Sequence, residues 1–129
     1  MSPEVETVLV IDDDAAVRAA LKFALEVDGF RVRVYDSAAA FLADGSLPVR
    51  ACLVIDYRMP DIDGLELVEL LRARQVALPA ILISGRVDDQ LRRRAARHGV
   101  SLVLEKPLLD GALLEGIRAA LRLAPASAA

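Results

Sequence analysis

The stretch that decides the fold is Ala51-Cys52-Leu53-Val54-Ile55-Asp56-Tyr57-Arg58-Met59-Pro60-Asp61. Its first half is an apolar run of strand length, and its second half is a turn signature of Asp, Pro and a following Gly64. A short Leu/Val/Ile run closed in this way reads as a strand covered on both faces rather than one. In an open parallel sheet, ligands bind outside the carboxyl ends of the strands, and Asp56 stands at that end.

Working outward, the same pattern recurs. Thr7-Val8-Leu9-Val10-Ile11 is a second apolar run, closed by Asp12-Asp13-Asp14. The period then becomes helical, with Val17, Leu21, Ala24 and Leu25 on one side and Arg18, Lys22 and Glu26 on another. Asp14 is the expected N-cap and Asp28-Gly29 the expected stop. Arg31-Val32-Arg33-Val34-Tyr35 alternates with period two, as expected of an edge-side strand with one wet face. Asp36-Ser37 opens a short Ala-rich helix to about residue 44, and Asp63-Gly64 opens a longer one rich in leucine. Pro79-Ala80-Ile81-Leu82-Ile83-Ser84 is the fourth strand, and residues 87–98 form an arginine-rich helix stopped by Gly99. Ser101-Leu102-Val103-Leu104-Glu105 is the fifth strand, ended by Lys106-Pro107, and residues 108–123 make the last helix. Five strands alternating with five helices predict an α/β fold with one parallel sheet, because parallel neighbours need crossover connections.

Size and composition narrow the function. A chain of 129 residues supports a single core without disulfides or metals as staples. Hydrophobic residues make up 55% and aromatics only 4%, so that core is aliphatic. The net charge of -3 argues against a nucleic-acid footprint, and the Arg92-Arg93-Arg94 run with Arg97 reads as a solvated or partner-facing surface. Cys52, the one cysteine, excludes an internal disulfide and reads as a small buried hydrophobe. No apolar stretch approaches the roughly 20 residues of a membrane span, and the N-terminus lacks a signal sequence. A cytoplasmic protein with no membrane or nucleic-acid partner is expected.

Because parallel strands open on one rim, Asp12, Asp13 and Asp56 gather there with Ser84 and Lys106. Clustered carboxylates repel unless a cation neutralises them, and an all-oxygen set suits Mg²⁺ or Mn²⁺ better than zinc. The lysine and the hydroxyl can then hold a phosphoryl group, which a carboxylate can attack to form an acyl phosphate.

Asp12-Asp13, Asp56 with Met59-Pro60 and Gly64, Ser84-Gly85 and Lys106-Pro107, in this order, resemble the receiver domain of bacterial two-component response regulators. The resemblance covers almost the whole chain and implies a CheY-like, flavodoxin-like (βα)5 sheet of order 2-1-3-4-5, with the domain at residues 5–124, short tails at 1–4 and 125–129, and no output domain. It further implies Asp56 as phosphoacceptor, Asp13 as a direct Mg²⁺ ligand, Asp12 as a ligand through water, and the backbone carbonyl of Arg58 as the remaining protein ligand. Ser84 and Lys106 would contact the phosphoryl group, and Pro107 would follow a cis peptide. The donor would be a sensor histidine kinase or a histidine phosphotransfer protein, and the message would pass to a downstream protein or end in a phosphate relay or sink. The protein would be a signalling module, not an enzyme. A haloacid-dehalogenase-type phosphatase, which needs a second Asp where Arg58 stands, fits poorly.

Three departures mark this chain. Val103 occupies the position, three before the lysine, where receivers usually carry a switching aromatic, and neither Tyr35 nor Tyr57 is an obvious replacement. A receiver-like scaffold that works without phosphorylation is therefore the alternative function. Arg58 and Arg86, each two residues beyond a site residue, are expected to modulate the lifetime of the phosphoryl group. Leu108, Leu114 and Leu123 exceed what a single stripe on the last helix needs beside Leu109, Leu113, Ile117 and Leu121, which points to a homodimer through the last two helices. His98 is expected only to meet the end of its helix.

Overall fold

The computed structural model describes residues 5–108 and 111–123. Its strands are β1 (Thr7–Ile11), β2 (Arg31–Tyr35), β3 (Cys52–Asp56), β4 (Ala80–Ser84) and β5 (Leu102–Glu105). They alternate with α1 (Ala15–Val27), α2 (Ala38–Leu42), α3 (Gly64–Ala73), α4 (Asp89–Arg97) and α5 (Ala112–Leu123). All strand pairs are parallel, and the sheet order is β2-β1-β3-β4-β5. The chain is thus the α/β domain with one parallel sheet expected from the sequence pattern, in the strand order that the resemblance implies.

Every residue of β1, β3 and β4 is buried, whereas β2 and β5 at the edges are only partly so. The two-residue period of a strand divides these side chains between two cores. Leu9, Ile11, Leu53, Ile55 and Leu82 pack under α2, α3 and α4 with Phe41, Leu65, Leu67 and Leu91. Val8, Val10, Cys52, Val54, Ile81 and Ile83 pack under α1 and α5 with Leu21, Leu25, Leu113, Ile117 and Leu121. Cys52 is buried as expected, and burial pushes its thiol up to about 12, which makes it unreactive.

The caps explain where the helices begin. Asp14 accepts hydrogen bonds from the amides of Ala16 and Val17 at the start of α1, and Gly29 takes the positive φ of 93° that ends it. Ser37 rather than Asp36 caps α2. Asp63 and Glu66 form a reciprocal capping box on α3. Asp88 caps α4, so that helix starts at Asp89 rather than near residue 87. His98 is its C-cap residue, at the helix end where it was expected.

Three local expectations change. Ala24 is exposed, because Leu21 and Leu25 already fill the strip of α1 that meets the sheet. The last helix begins at Ala112, and Leu108 precedes it in an irregular segment; Leu109, assigned from the sequence to the covering stripe, lies outside the described residues, as do both tails. Leu108 and Leu114 pack partly against the α1/α5 core, and of the described leucines only Leu123, at 85% exposure, is largely free. The surplus is therefore smaller than the sequence suggested. Among the described residues no helix is long and apolar enough to cross a membrane.

Candidate functional site

Strand register brings the sequence-predicted residues to one rim. Ile11 lies beside Ile55, Asp56 beside Ile83, and Ser84 beside Glu105, so the ends of β1, β3, β4 and β5 stand nearly level. Asp12, Asp13 and Asp56 each offer a carboxylate oxygen there, with all three oxygens within 4.8 Å of one another.

Each carboxylate has a distinct setting. Asp12 is fully buried; its Oδ1 accepts from the Asp14 amide at 2.9 Å, and its Oδ2 meets Lys106 Nζ at 3.3 Å. The Arg18 guanidinium donates to the Asp12 carbonyl at 2.8 Å, and the Asp12 amide donates to the Tyr35 carbonyl, which fixes the backbone around it. Asp13 is exposed, and Asp14 is committed to its helix cap. Asp56 is 6% exposed, with Oδ1 3.5 Å from Lys106 Nζ. Burial and the neighbouring Asp12 carboxylate push the Asp56 carboxyl up to about 6, against the opposing pull of Lys106 and of the Arg58 amide. Burial alone would lower the Lys106 ammonium, but Asp56 and Asp12 outweigh it and hold it above an ordinary lysine.

Two buried carboxylates share one ammonium here, with a third carboxylate at the solvent edge. At Asp56, burial and the Asp12 charge together outweigh the pull of Lys106. An all-oxygen, over-charged set of this kind fits a hard divalent cation such as Mg²⁺, and among the described residues it is the one such group of three.

The lysine is aimed by its surroundings. Its amide donates to the Ser84 carbonyl at 2.8 Å, and the Lys106–Pro107 peptide is cis. Ser84 is almost fully buried, but its hydroxyl turns back on its own loop, donating to the Arg86 carbonyl at 2.9 Å and accepting from the Arg86 amide at 3.3 Å. The serine is thus at the rim yet engaged in a local turn, the plainer of the roles open to a Ser-Gly pair.

Several contacts here have no signature in local spacing. Glu105 accepts from the Val87 amide at 2.9 Å and so ties β5 to the loop after Ser84. Arg92 donates to the Val103 carbonyl at 3.3 Å, and Arg94 to the Tyr57 hydroxyl at 3.2 Å. Val103 is buried in the core under α2, α3 and α4. Tyr35 donates its hydroxyl to Asp44 and sets its ring edge-on to Phe41, so it is committed away from the rim. Arg58 and Arg86 are exposed and line a cleft beside the rim.

The comparisons with known proteins agree with this geometry. Residues 8–118 match the family model described as response regulator receiver domain. The chain is 46% identical over 120 residues to the transcriptional regulatory protein FixJ of Azorhizobium caulinodans, covering 92% of this chain and 56% of that protein. It is 36% identical over 125 residues to the response regulator protein TodT of Pseudomonas putida, covering 97% of this chain and 55% of that protein. The chain thus spans little more than half the length of these relatives. Among solved structures, that of FixJ-N superposes with a TM-score of 0.83 at 34% identity, covering 96% of this chain and 99% of that one. The response regulator StyR gives a TM-score of 0.85 at 38% identity, covering 93% of this chain and 61% of that one.

Proposed function

Because the chain belongs to the response regulator receiver family, we propose that it accepts a phosphoryl group on Asp56 in a Mg²⁺-dependent reaction. The observation that carries this reading is the sharing of Lys106 by Asp12 and Asp56, at 3.3 and 3.5 Å, within a three-carboxylate cluster.

An Asp56 carboxylate oxygen attacks phosphorus, and the bond from phosphorus to the donor atom breaks as the electron pair leaves with the donor. The donor is a phosphohistidine of a sensor kinase or phosphotransfer protein. Asp12, Asp13, Asp56 and the Arg58 carbonyl would hold Mg²⁺, which when bound offsets the charge of the phosphoryl oxygens and of the carboxylates. Lys106, already within reach of Asp56, passes from pairing with the carboxylate to pairing with the phosphoryl oxygens. Ser84 reaches the phosphoryl group only by releasing the Arg86 carbonyl, and that exchange loosens the loop that Glu105 holds through Val87. Val103 cannot follow as a swinging aromatic. The loop after Ser84 therefore carries the signal to a downstream protein partner in the cytoplasm.

Incubation with acetyl phosphate and Mg²⁺ tests this reading. The wild-type chain takes up one acid-stable, base-labile phosphoryl group, while Asp56→Asn or chelation of Mg²⁺ abolishes uptake. Equal uptake by Asp56→Asn overturns the assignment, and no uptake by either chain favours a scaffold that works unphosphorylated.

A further inference from the structure

Beside the rim, between the loop after β3 and helix α4, lies a polar cleft of about 210 Å³. We propose that this cleft is a phosphate-binding site for a small phosphate-bearing molecule, separate from the cluster around Asp56.

Three guanidinium groups line it. Arg58 comes from the loop after β3, Arg86 from the loop after β4, and Arg94 from α4. Asp88 is the one carboxylate among the lining residues, and it already accepts the Leu91 amide at 2.8 Å as the cap of α4. Asp63 and Glu66 lie near enough to act on Arg94, but both are engaged in the capping box of α3. Among the described residues, the side chains of Arg58 and Arg86 have no hydrogen-bond or ion-pair partner. Arg94 is different: its guanidinium is anchored on the Tyr57 hydroxyl at 3.2 Å. The cleft therefore combines one positioned cation with two adaptable ones.

Guanidinium forks match the paired oxygens of phosphate and give the stronger, charge-assisted class of hydrogen bond. Gln90 adds a neutral donor to the same wall. The volume is below the about 300 to 1,000 Å³ of drug-sized ligand pockets, which suits a phosphate group better than a buried bulky ligand. Location supplies the use. Arg58 is two residues beyond Asp56 and Arg86 two beyond Ser84, so a phosphate compound held here waits beside the acceptor rather than on it.

The test is binding alone and needs no phosphoryl transfer, so it stands or falls apart from the role of Asp56. Inorganic phosphate is titrated into the Mg²⁺-free chain at low ionic strength and followed by amide chemical shifts. Saturable shifts centred on Tyr57, Arg86 and Gln90 are expected. Arg94→Ala is expected to weaken binding about tenfold or more, the scale of one lost charge-assisted contact. Arg86→Ala, at an exposed position where folding is not at risk, is expected to weaken it about as much. Lys22→Ala, which removes an exposed cation of α1 outside the cleft, is expected to leave affinity within about twofold. Absence of saturable binding overturns the proposal, as does parent-like affinity in both arginine variants, loss of binding in Lys22→Ala, or saturable shifts centred on Asp12, Asp56 and Lys106 instead.

Discussion

Asp56→Asn is expected to raise the stability of the Mg²⁺-free protein at pH 7 by about 2 to 3 kcal/mol while abolishing phosphoryl uptake. The reason is the cost of holding a charge at Asp56. Its carboxyl is pushed from 3.8 to about 6 in the fold, mainly by burial and then by Asp12. Between these values the native chain binds more protons than the unfolded one, so stability falls as pH rises from about 4 to about 6 and then levels. Asparagine has no such slope. The gap between the two proteins is therefore small at pH 4 or below and full above pH 6. Groups away from the cluster are common to both chains and cancel in the difference, and Lys106, held above an ordinary lysine, stays protonated across this range. Urea unfolding of both chains in EDTA at several pH values measures it. The gap at pH 7 is expected to narrow when Mg²⁺ is added, since a bound cation relieves the same repulsion. An Asn variant no more stable than the parent at pH 7 would show that Lys106 already balances the cluster.

Gly64→Ala is expected to cost about 3 kcal/mol, the upper part of the overpacking range. Gly64 is the first residue of α3, and its amide donates to the Tyr57 carbonyl at 2.8 Å. A methyl group there would lie 2.7 Å from the Asp56 carbonyl oxygen and 2.7 Å from Leu82 Cδ1. The leucine can turn, but the carbonyl belongs to β3 and cannot move without moving Asp56. The change thus acts on the site as well as on the fold, and slower phosphoryl uptake is expected to accompany the lower urea midpoint. Gly45→Ala is the control, since nothing lies within 4 Å of its added carbon, and it is expected to stay within about 0.5 kcal/mol of the parent.

The rim was legible in the sequence because parallel strands force it. Once Thr7–Ile11 and Cys52–Asp56 read as strands of one parallel sheet, Asp12 and Asp56 had to share an edge. Asp14 and Gly29 were legible for a local reason, since a cap side chain and a positive φ act within one turn of chain. What escaped depends on distance in the chain or on rotamers. Tyr57 meets Arg94 across 37 positions, and Glu105 meets Val87 across 18. No spacing rule links such pairs. The turn of the Ser84 hydroxyl toward Arg86 is a choice among staggered side-chain positions that sequence leaves open. Leucine counting on the last helix overstated its free surface, because Leu108 and Leu114 tuck against the domain's own core. At Val103 the sequence announced a missing aromatic, but only the structure shows its carbonyl held by Arg92.

The central claim is that Asp56 itself carries the phosphoryl group, and borohydride reduction followed by peptide mass spectrometry tests it most directly. An acyl phosphate is reduced to the alcohol while a free carboxylate is not. After treatment with acetyl phosphate and Mg²⁺, homoserine at position 56 is the predicted result, with Asp12 and Asp13 unchanged. Homoserine at position 12 or 13, or none at position 56 in a labelled chain, would contradict it.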